Sequence, residues 1–328
     1  MAKHDVTLTA PAVTSQAKPS SRQTAFVLAL LALALLAPLG IYPVFLMKAL
    51  CFALFASAFN LLLGYVGLLS FGHAMFFGWS AYVTAHAAKE WGLTPELAIL
   101  AGMALSAVMG TVVGWLAIRR QGIYFAMITL ALAQLMFFLA VQAPFTHGED
   151  GIQGVPRGRL FGLIDLSDTV TMYYFVLAVF VAALLFLYRV VHSPFGQILK
   201  AIRDNEPRAV SLGYQVERYK LLAFVLSATL AGLAGSLKSL VFQLASLADV
   251  HWHASGEVVL MTLLGGVGTV FGPTAGAFLV VTIQNTFAEA GSWVTIIQGV
   301  IFVVCVLAFR SGIVGVVARF LKKHGIQA

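Results

Sequence analysis

The residues that could do chemistry in this 328-residue chain are few, and most of them are embedded in apolar runs. Asn60, His73, Gln134, Gln284, Asn285 and Gln298 each interrupt such a run. A polar side chain in lipid is costly, so it turns toward a bundle interior or a water-filled path. For each of these residues an interhelical hydrogen bond is the ordinary reading and contact with a transported solute the sharper one. His73 carries the sharper reading best, because it shares the segment Ser70-Phe-Gly-His73 with another polar residue. Two glycine-rich stretches, Gly64–Gly72 and Gly265–Pro273, break the helical pattern within or near apolar runs. Broken backbone at membrane depth is tolerated only where protein or a cavity surrounds it, and in transporters it often lines the substrate path. Gly265 and Gly266 are therefore path candidates, with a plain loop as the alternative. The stretch LGGVGTVFGP lacks the Lys-Ser/Thr that a phosphate loop needs, so ATP, if used, binds another chain.

Catalytic and metal-binding sets are not evident. His251-Trp-His253 with Asp249 falls short of a metal-ligand set. No Ser/His/Asp, paired-carboxylate or Cys/His arrangement suggests a reaction, so neither metal nor cofactor is expected here. Glu257 follows Ser255 at the start of an apolar run and reads as a first-turn acid after a capping residue. The cysteines Cys51 and Cys305 both lie in apolar runs and read as small buried hydrophobes.

One polar stretch, Gly196–Gly213 (GQILKAIRDNEPRAVSLG), has a pattern of its own. Ile198, Leu199 and Ile202 recur at helical spacing, with Lys200, Arg203 and Asp204 on other faces. Pro207 suits a first helical turn, with Asn205 or Glu206 near the cap. Ala209, Val210 and Leu212 form a second short apolar stripe, which Gly213 closes. Two short helices meeting at a capped turn could dock into a groove on a partner protein, or lie on their own membrane surface.

The elements that must position these residues follow from composition. Apolar residues make up 60 % of the chain and charged residues only 10 %, far below the ~25 % of a soluble domain. Lipid is the solvent such a surface matches. The net charge of +7 is spread between apolar runs instead of gathered on an aromatic-studded patch, which excludes a nucleic-acid-binding surface. Ten runs are candidates for membrane spans: 24–41, 44–63, 72–88, 95–118, 123–143, 171–190, 220–243, 255–271, 274–290 and 294–309. The third, eighth and ninth are broken by glycine. With the N-terminus in the cytoplasm, ten spans place 15 of the 20 Lys and Arg residues inside, as the positive-inside rule asks. The expected organisation is a disordered tail over 1–23, one transmembrane domain over 24–310 with a cytoplasmic loop at 192–219, and a cytoplasmic tail over 311–328. The first helix is expected to be retained, since no small-residue cleavage site follows it. Small residues four apart, such as Gly110 with Gly114 and Ala231 with Gly235, favour close helix packing.

At Gly196–Gly213 the chain resembles the cytoplasmic loop of permeases from the branched-chain amino acid ABC transporter family. Four further stretches carry the resemblance: GYVGLLSFGHAMFFG (64–78), GEDGIQG (148–154), KLLAFVLSATLAGLAG (220–235) and LGGVGTVFGP (264–273). They run in the family's order from about Phe45 to Arg310 and are closer to its M-type permease than to the H-type. The resemblance implies an all-α bundle of the type II importer kind in a bacterial inner membrane, with both termini cytoplasmic. It also implies a homologous second permease subunit, two ATP-binding-cassette ATPase subunits holding ATP and Mg, and a periplasmic amino-acid-binding protein. Leucine, isoleucine and valine are the implied cargo, with urea, amides or aromatic acids as family alternatives. The loop is then the analogue of the coupling helices that seat on the ATPases, a role carried to Ala201, Ile202, Arg203, Asn205, Glu206, Ala209 and Gly213. A self-sufficient secondary transporter or channel is the rival, disfavoured because no acidic residue sits at mid-span.

Overall fold

The computed structural model describes residues 31–287, together with Ile296, Gly299, Val300, Val303 and Gly312. The two tails, the start of the first expected span, and the last span (294–309) with its Gln298 lie outside the described residues. Residues 31–36 are helical and end in a short turn at Ala37–Leu39. Eleven helices follow: α1 (Pro43–Tyr65), α2 (His73–Lys89), α3 (Pro95–Ala117), α4 (Ile123–Gln142), α5 (Thr169–His192), α6 (Pro194–Asp204), α7 (Glu206–Ser211), α8 (Val216–Phe242), α9 (Leu247–Val250), α10 (Trp252–Gly265) and α11 (Gly272–Thr286).

Five of them, α1, α3, α4, α5 and α8, are long and apolar enough to cross a membrane. Their hydrophobicity decides that they insert, and packing decides where each one sits. In the most apolar window of α1, 83 % of residues are buried within the protein, and 72 % in that of α8, against 28 % in α4. Helices α1 and α8 therefore form the centre, with α2 and α3 packed on α8, while α3, α4 and α5 supply the rim.

The three runs interrupted by glycine form shorter helices than full spans. Helix α2 has 17 residues, α10 has 14 and α11 has 15. At 1.5 Å per residue the longest reaches only about 26 Å, short of the ~30 Å hydrocarbon core. The eighth expected run stops at Gly265 instead of Phe271, because Gly266 and Gly268 take φ of 124° and 76°, beyond a helix's range. Residues 66–72 lead from the end of α1 back into the bundle before α2 begins. The His73 ring bonds Ser227, which lies about 17 Å along α8 from its first residue. Helix α2 thus starts near mid-bundle.

Small residues weld the centre. The Ser80 hydroxyl donates to the Gly232 carbonyl and lies 2.6 Å from the Ser236 hydroxyl, to which Thr84 donates at 2.8 Å. Ser106 donates to the Phe76 carbonyl at 3.1 Å. A side chain at Gly235 would strike the Phe77 carbonyl, and one at Gly110 would meet the Ala228 methyl at 2.7 Å. Glycine and serine are needed there because the backbones approach so closely.

Connections between the helices pair as two minimal ladders: β1 (Ile152–Gln153) with β4 (Leu244–Ala245), and β2 (Arg159–Leu160) with β3 (Ile164–Asp165). They lie at one end of the bundle, the strand end. Helices α6 and α7 lie at the other, the loop end.

Candidate functional site

At the loop end, three pieces of chain meet around Arg203. It sits in the last turn of α6, and its Nη1 donates to the Gly64 carbonyl at 2.5 Å. Its Nη1 also lies 3.6 Å from where a side chain at Gly268 would begin, and its Cγ lies 2.9 Å from the corresponding point at Gly67. Gly67 has φ of 80°. The first break, the second break and the polar loop are therefore in direct contact. Asn60 completes the junction from the last third of α1. Its amide nitrogen donates to the Thr269 carbonyl at 2.8 Å, and its oxygen accepts from the Gly268 N–H at 2.9 Å. Asn60 is 3 % exposed, so both bonds replace ones that water would otherwise make.

The loop itself is held as a small folded unit. The Ser193 hydroxyl accepts from the Gly196 N–H at the head of α6. Asn205 caps α7 by accepting from the Arg208 N–H at 3.0 Å, with Pro207 in its first turn. Gly213, at φ of 88°, turns the chain toward α8. Ile202 and Ala209 are each 2 % exposed and pack with Val216 in a satellite core, while Ala201 faces solvent. The most exposed large apolar groups of this unit are Val210 and Leu212, 56 % and 68 % exposed. Glu206 pairs with Lys220 at 2.6 Å, tying the start of α7 to α8. A cleft of about 500 Å³ opens between this unit and the rest of the bundle, lined by Gly67, Gln121, Arg203, Asn205 and Lys220 among others. Arg203 thus joins this exposed unit to both broken segments.

The path candidates are scattered. Ser70 is fully buried and its hydroxyl accepts from the Gly72 N–H at 3.2 Å. His73 is also fully buried, with Nε2 2.8 Å from the Ser227 hydroxyl, which donates on to the Ala58 carbonyl. The rings of Phe59, Phe76 and Phe224 meet it edge-on at 5.1–5.9 Å. Gln134 is half-buried on α4. Gly265 and Gly266 are buried in the turn between α10 and α11, where Gly312 packs against Gly266. Gln284 on α11 donates to Glu257 at 3.1 Å, and Asn285 beside it is exposed. The junction thus gathers Asn60 and Arg203 with the break. It does not gather His73, Gln134 or Asn285.

Two local assignments need correction. Glu257 is not a first-turn acid, because α10 begins at Trp252 with His251 as its cap, and Glu257 faces Gln284 instead. Ser255 does not cap its own helix. Its hydroxyl accepts from the Ala74 N–H at 2.9 Å and satisfies the start of α2. Sequence reasoning also missed the ion pair of Lys238 with Asp249, at 2.6 Å. Its partners lie 11 residues apart on two different helices, and no local periodicity signals such a contact. No group of three or more metal-ligating side chains occurs among the described residues.

The geometry is that of a membrane bundle with interrupted helices and an ordered polar loop, and comparison with known proteins gives it a family. Residues 42–308 match the family described as "Branched-chain amino acid transport system / permease component". The chain is 28 % identical to the high-affinity branched-chain amino acid transport system permease protein LivM of Salmonella typhimurium, over 82 % of this chain and 69 % of that one. It is 27 % identical to LivM of Escherichia coli, over 81 % and 68 %. An autoinducer 2 import system permease protein, LsrC of Photorhabdus laumondii, is 26 % identical over 58 % of this chain and 55 % of its own. No solved structure matches. The family match spans all five long helices, both breaks and the polar loop, and on that ground the chain belongs to the branched-chain amino acid transport permease family, as a multi-pass ABC-type permease subunit and not itself an enzyme.

Proposed function

We propose that this subunit forms half of an importer for leucine, isoleucine, valine and similar amphipathic amino acids, with a homologous permease as the other half. Two separate ATPase subunits hold ATP and Mg and seat on the loop at 192–219, and a periplasmic binding protein delivers cargo at the strand end. The subunit sits in a bacterial inner membrane with ten spans and both termini cytoplasmic, which puts the loop end inside. The observation that carries this reading is the bond from Arg203 to the Gly64 carbonyl. Through it, ATP-driven movement of the loop reaches the two breaks beside the path, and rocking of the halves exposes the path to each side in turn. Ala201, Val210 and Leu212 supply contact surface, while Asn205, Glu206, Ala209, Ile202 and Gly213 keep it folded.

The test is the double variant Arg203→Glu with Asn205→Ala. It should insert in the membrane but lose amino acid uptake or ATPase association, and normal uptake would remove the coupling role. Uptake into proteoliposomes by this chain without ATPases would instead favour a self-sufficient carrier. A second cargo reading, a small polar solute other than an amino acid, draws on the relatives named for autoinducer 2 import. Ligand screening of the cognate binding protein decides between the cargoes.

A further inference from the structure

The α10–α11 hairpin is tied to α1 unevenly. Away from the loop end, one side-chain bond joins them among the described residues. It runs from the Thr262 hydroxyl to the Ala56 carbonyl at 3.4 Å, longer than such bonds ordinarily are. At the loop end the tie is of another kind. Asn60 Nδ2 donates to the Thr269 carbonyl at 2.8 Å, and Asn60 Oδ1 accepts from the Gly268 N–H at 2.9 Å. A single carboxamide thus serves the donor and the acceptor that two neighbouring residues of the turn present. A carboxylate could accept but not donate, and an aliphatic group could do neither.

Asn60 is held against the turn by its own helix. A side chain built at Gly64, one turn further along α1, would meet the Gly268 nitrogen at 2.6 Å and its Cα at 2.8 Å, as well as the Asn60 amide oxygen. The α1 backbone therefore touches the turn, and at the same level the Gly64 carbonyl accepts from Arg203. Arg203 itself bonds Gly64 and Asp204 but, among the described residues, no atom of the turn. The turn's own side-chain bonds run from the Thr269 hydroxyl to the Gly266 carbonyl at 2.8 Å and from the Gly272 N–H to the Thr269 hydroxyl at 3.0 Å. Neither the Gly268 N–H nor the Thr269 carbonyl takes part in them. If α1 moved away from the turn, both groups would lose their partner, and an orphaned buried backbone group carries its full desolvation cost. Parting the two segments is costly, whereas moving them together is not.

We propose that Asn60 is a positioning residue for transport, which makes the turn at 265–272 follow α1. Movement of the polar loop, received at Gly64 through Arg203, is then passed on to α10 and α11. Arg203 supplies the link from loop to α1, and Asn60 the link from α1 to the hairpin. Asn60 does not meet cargo, since both polar atoms of its amide are engaged by the turn. The assignment rests on the coupling reading of the loop at 192–219 and adds the residue that carries the movement across to the second break.

The experiment uses the whole importer, with both permeases, ATPases and binding protein, in proteoliposomes. Asn60→Leu removes both bonds. Asn60→Asp, nearly the same in volume, removes one and sets an oxygen against the Thr269 carbonyl. Each should lower the maximal rate of ATP-driven L-leucine uptake at least about tenfold, the effect of losing buried hydrogen bonds. The half-saturating concentration of loaded binding protein and the ATP hydrolysis it stimulates should both persist. Hydrolysis without uptake is the signature of a lost link, whereas a merely structural role would lower the two together. Maximal uptake within about twofold of wild type in both variants would overturn the assignment, and so would equal falls in uptake and hydrolysis. A second readout needs no cargo. Phe271, 43 % exposed beside the turn, is changed to Cys and labelled with bimane on a background with Cys51 and Cys305 changed to Ala. ATP should shift the bimane emission when Asn60 is present and not in Asn60→Leu. A shift that survives Asn60→Leu, or no shift in either, would also overturn the link. Normal uptake by the Arg203→Glu, Asn205→Ala variant removes the loop's role, whereas normal uptake by the Asn60 variants alone removes only this link.

Discussion

The outward faces of α3 and α4 and the uncovered face of the α10–α11 hairpin are both left bare by the described residues, yet their chemistry is opposite. On α3 the exposed positions are Leu97, Leu100, Ala104, Val108, Thr111, Val112, Trp115 and Leu116. The single hydroxyl among them, Thr111, is turned back to the Ala107 carbonyl at 2.8 Å. On α4 they run from Ile123 and Tyr124 through Met127, Leu135 and Phe138 to Leu139, with Gln142 exposed at the helix end. The hairpin instead exposes His253, Asn285 and Thr286, together with Trp252 and with Thr282, whose hydroxyl turns back to the Phe278 carbonyl at 2.7 Å. Lipid accepts the first kind of surface without cost and penalises the second. Exposure in an isolated bundle therefore has two meanings, solvent lipid or aqueous path, and polarity separates them.

The largest effect that tests this contrast should come from the weld that holds the hairpin together. Gly276→Leu would drive a side chain into the Met261 carbonyl and part α11 from α10, costing about 3 kcal/mol or more. Gly256→Leu, on a flank of the same hairpin where an added side chain meets nothing within 4 Å among the described residues, should cost nothing and can gain up to about 1 kcal/mol of helix propensity. Thermal unfolding in detergent compares them, and equal losses would show that the flank is not open. Next in size, Val108→Lys on the α3 face should impair insertion by about 2.5–3.5 kcal/mol. Thr282→Lys should insert nearly as well as wild type but slow uptake. An equal insertion penalty at both sites would make the hairpin face a lipid face.

The smallest effect concerns the strand end, outside both surfaces. Asp168 accepts from the Thr171 N–H and hydroxyl at 2.9 and 2.8 Å, and these bonds hold its carboxyl below the ordinary value of 3.8. A lowered folded-state value means the cap supports α5 fully above pH 3.8 and loses that support as the pH falls through the folded value. Asp168→Asn keeps an acceptor but removes this acid sensitivity, which unfolding curves across that window would register. An unchanged acid limb would assign it elsewhere.

Much of this arrangement is legible from local pattern. The apolar runs mark the long helices, because burying their backbones in lipid requires helices and their length matches the membrane. Asn205 before Pro207, and Gly213 after the second stripe, announce a capped turn that needs only neighbouring residues. The glycines at 64–72 and 265–273 announce breaks for the same reason. Glu257 was misread because Ser255 offers a cap that is locally sufficient, while a residue on α2 uses it instead.

By itself, then, the sequence of this permease determined which segments enter lipid, where they break and that one polar loop is folded, since each depends on residues within a few turns of one another. Tertiary structure alone decided that Arg203 reaches a carbonyl 139 residues away and that Asn60 holds a turn more than 200 residues on. It also decided that Glu257 accepts from Gln284, 27 residues on and on the next helix. Such contacts depend on how helices rotate and cross, which close packing of small residues sets and no periodicity along the chain records.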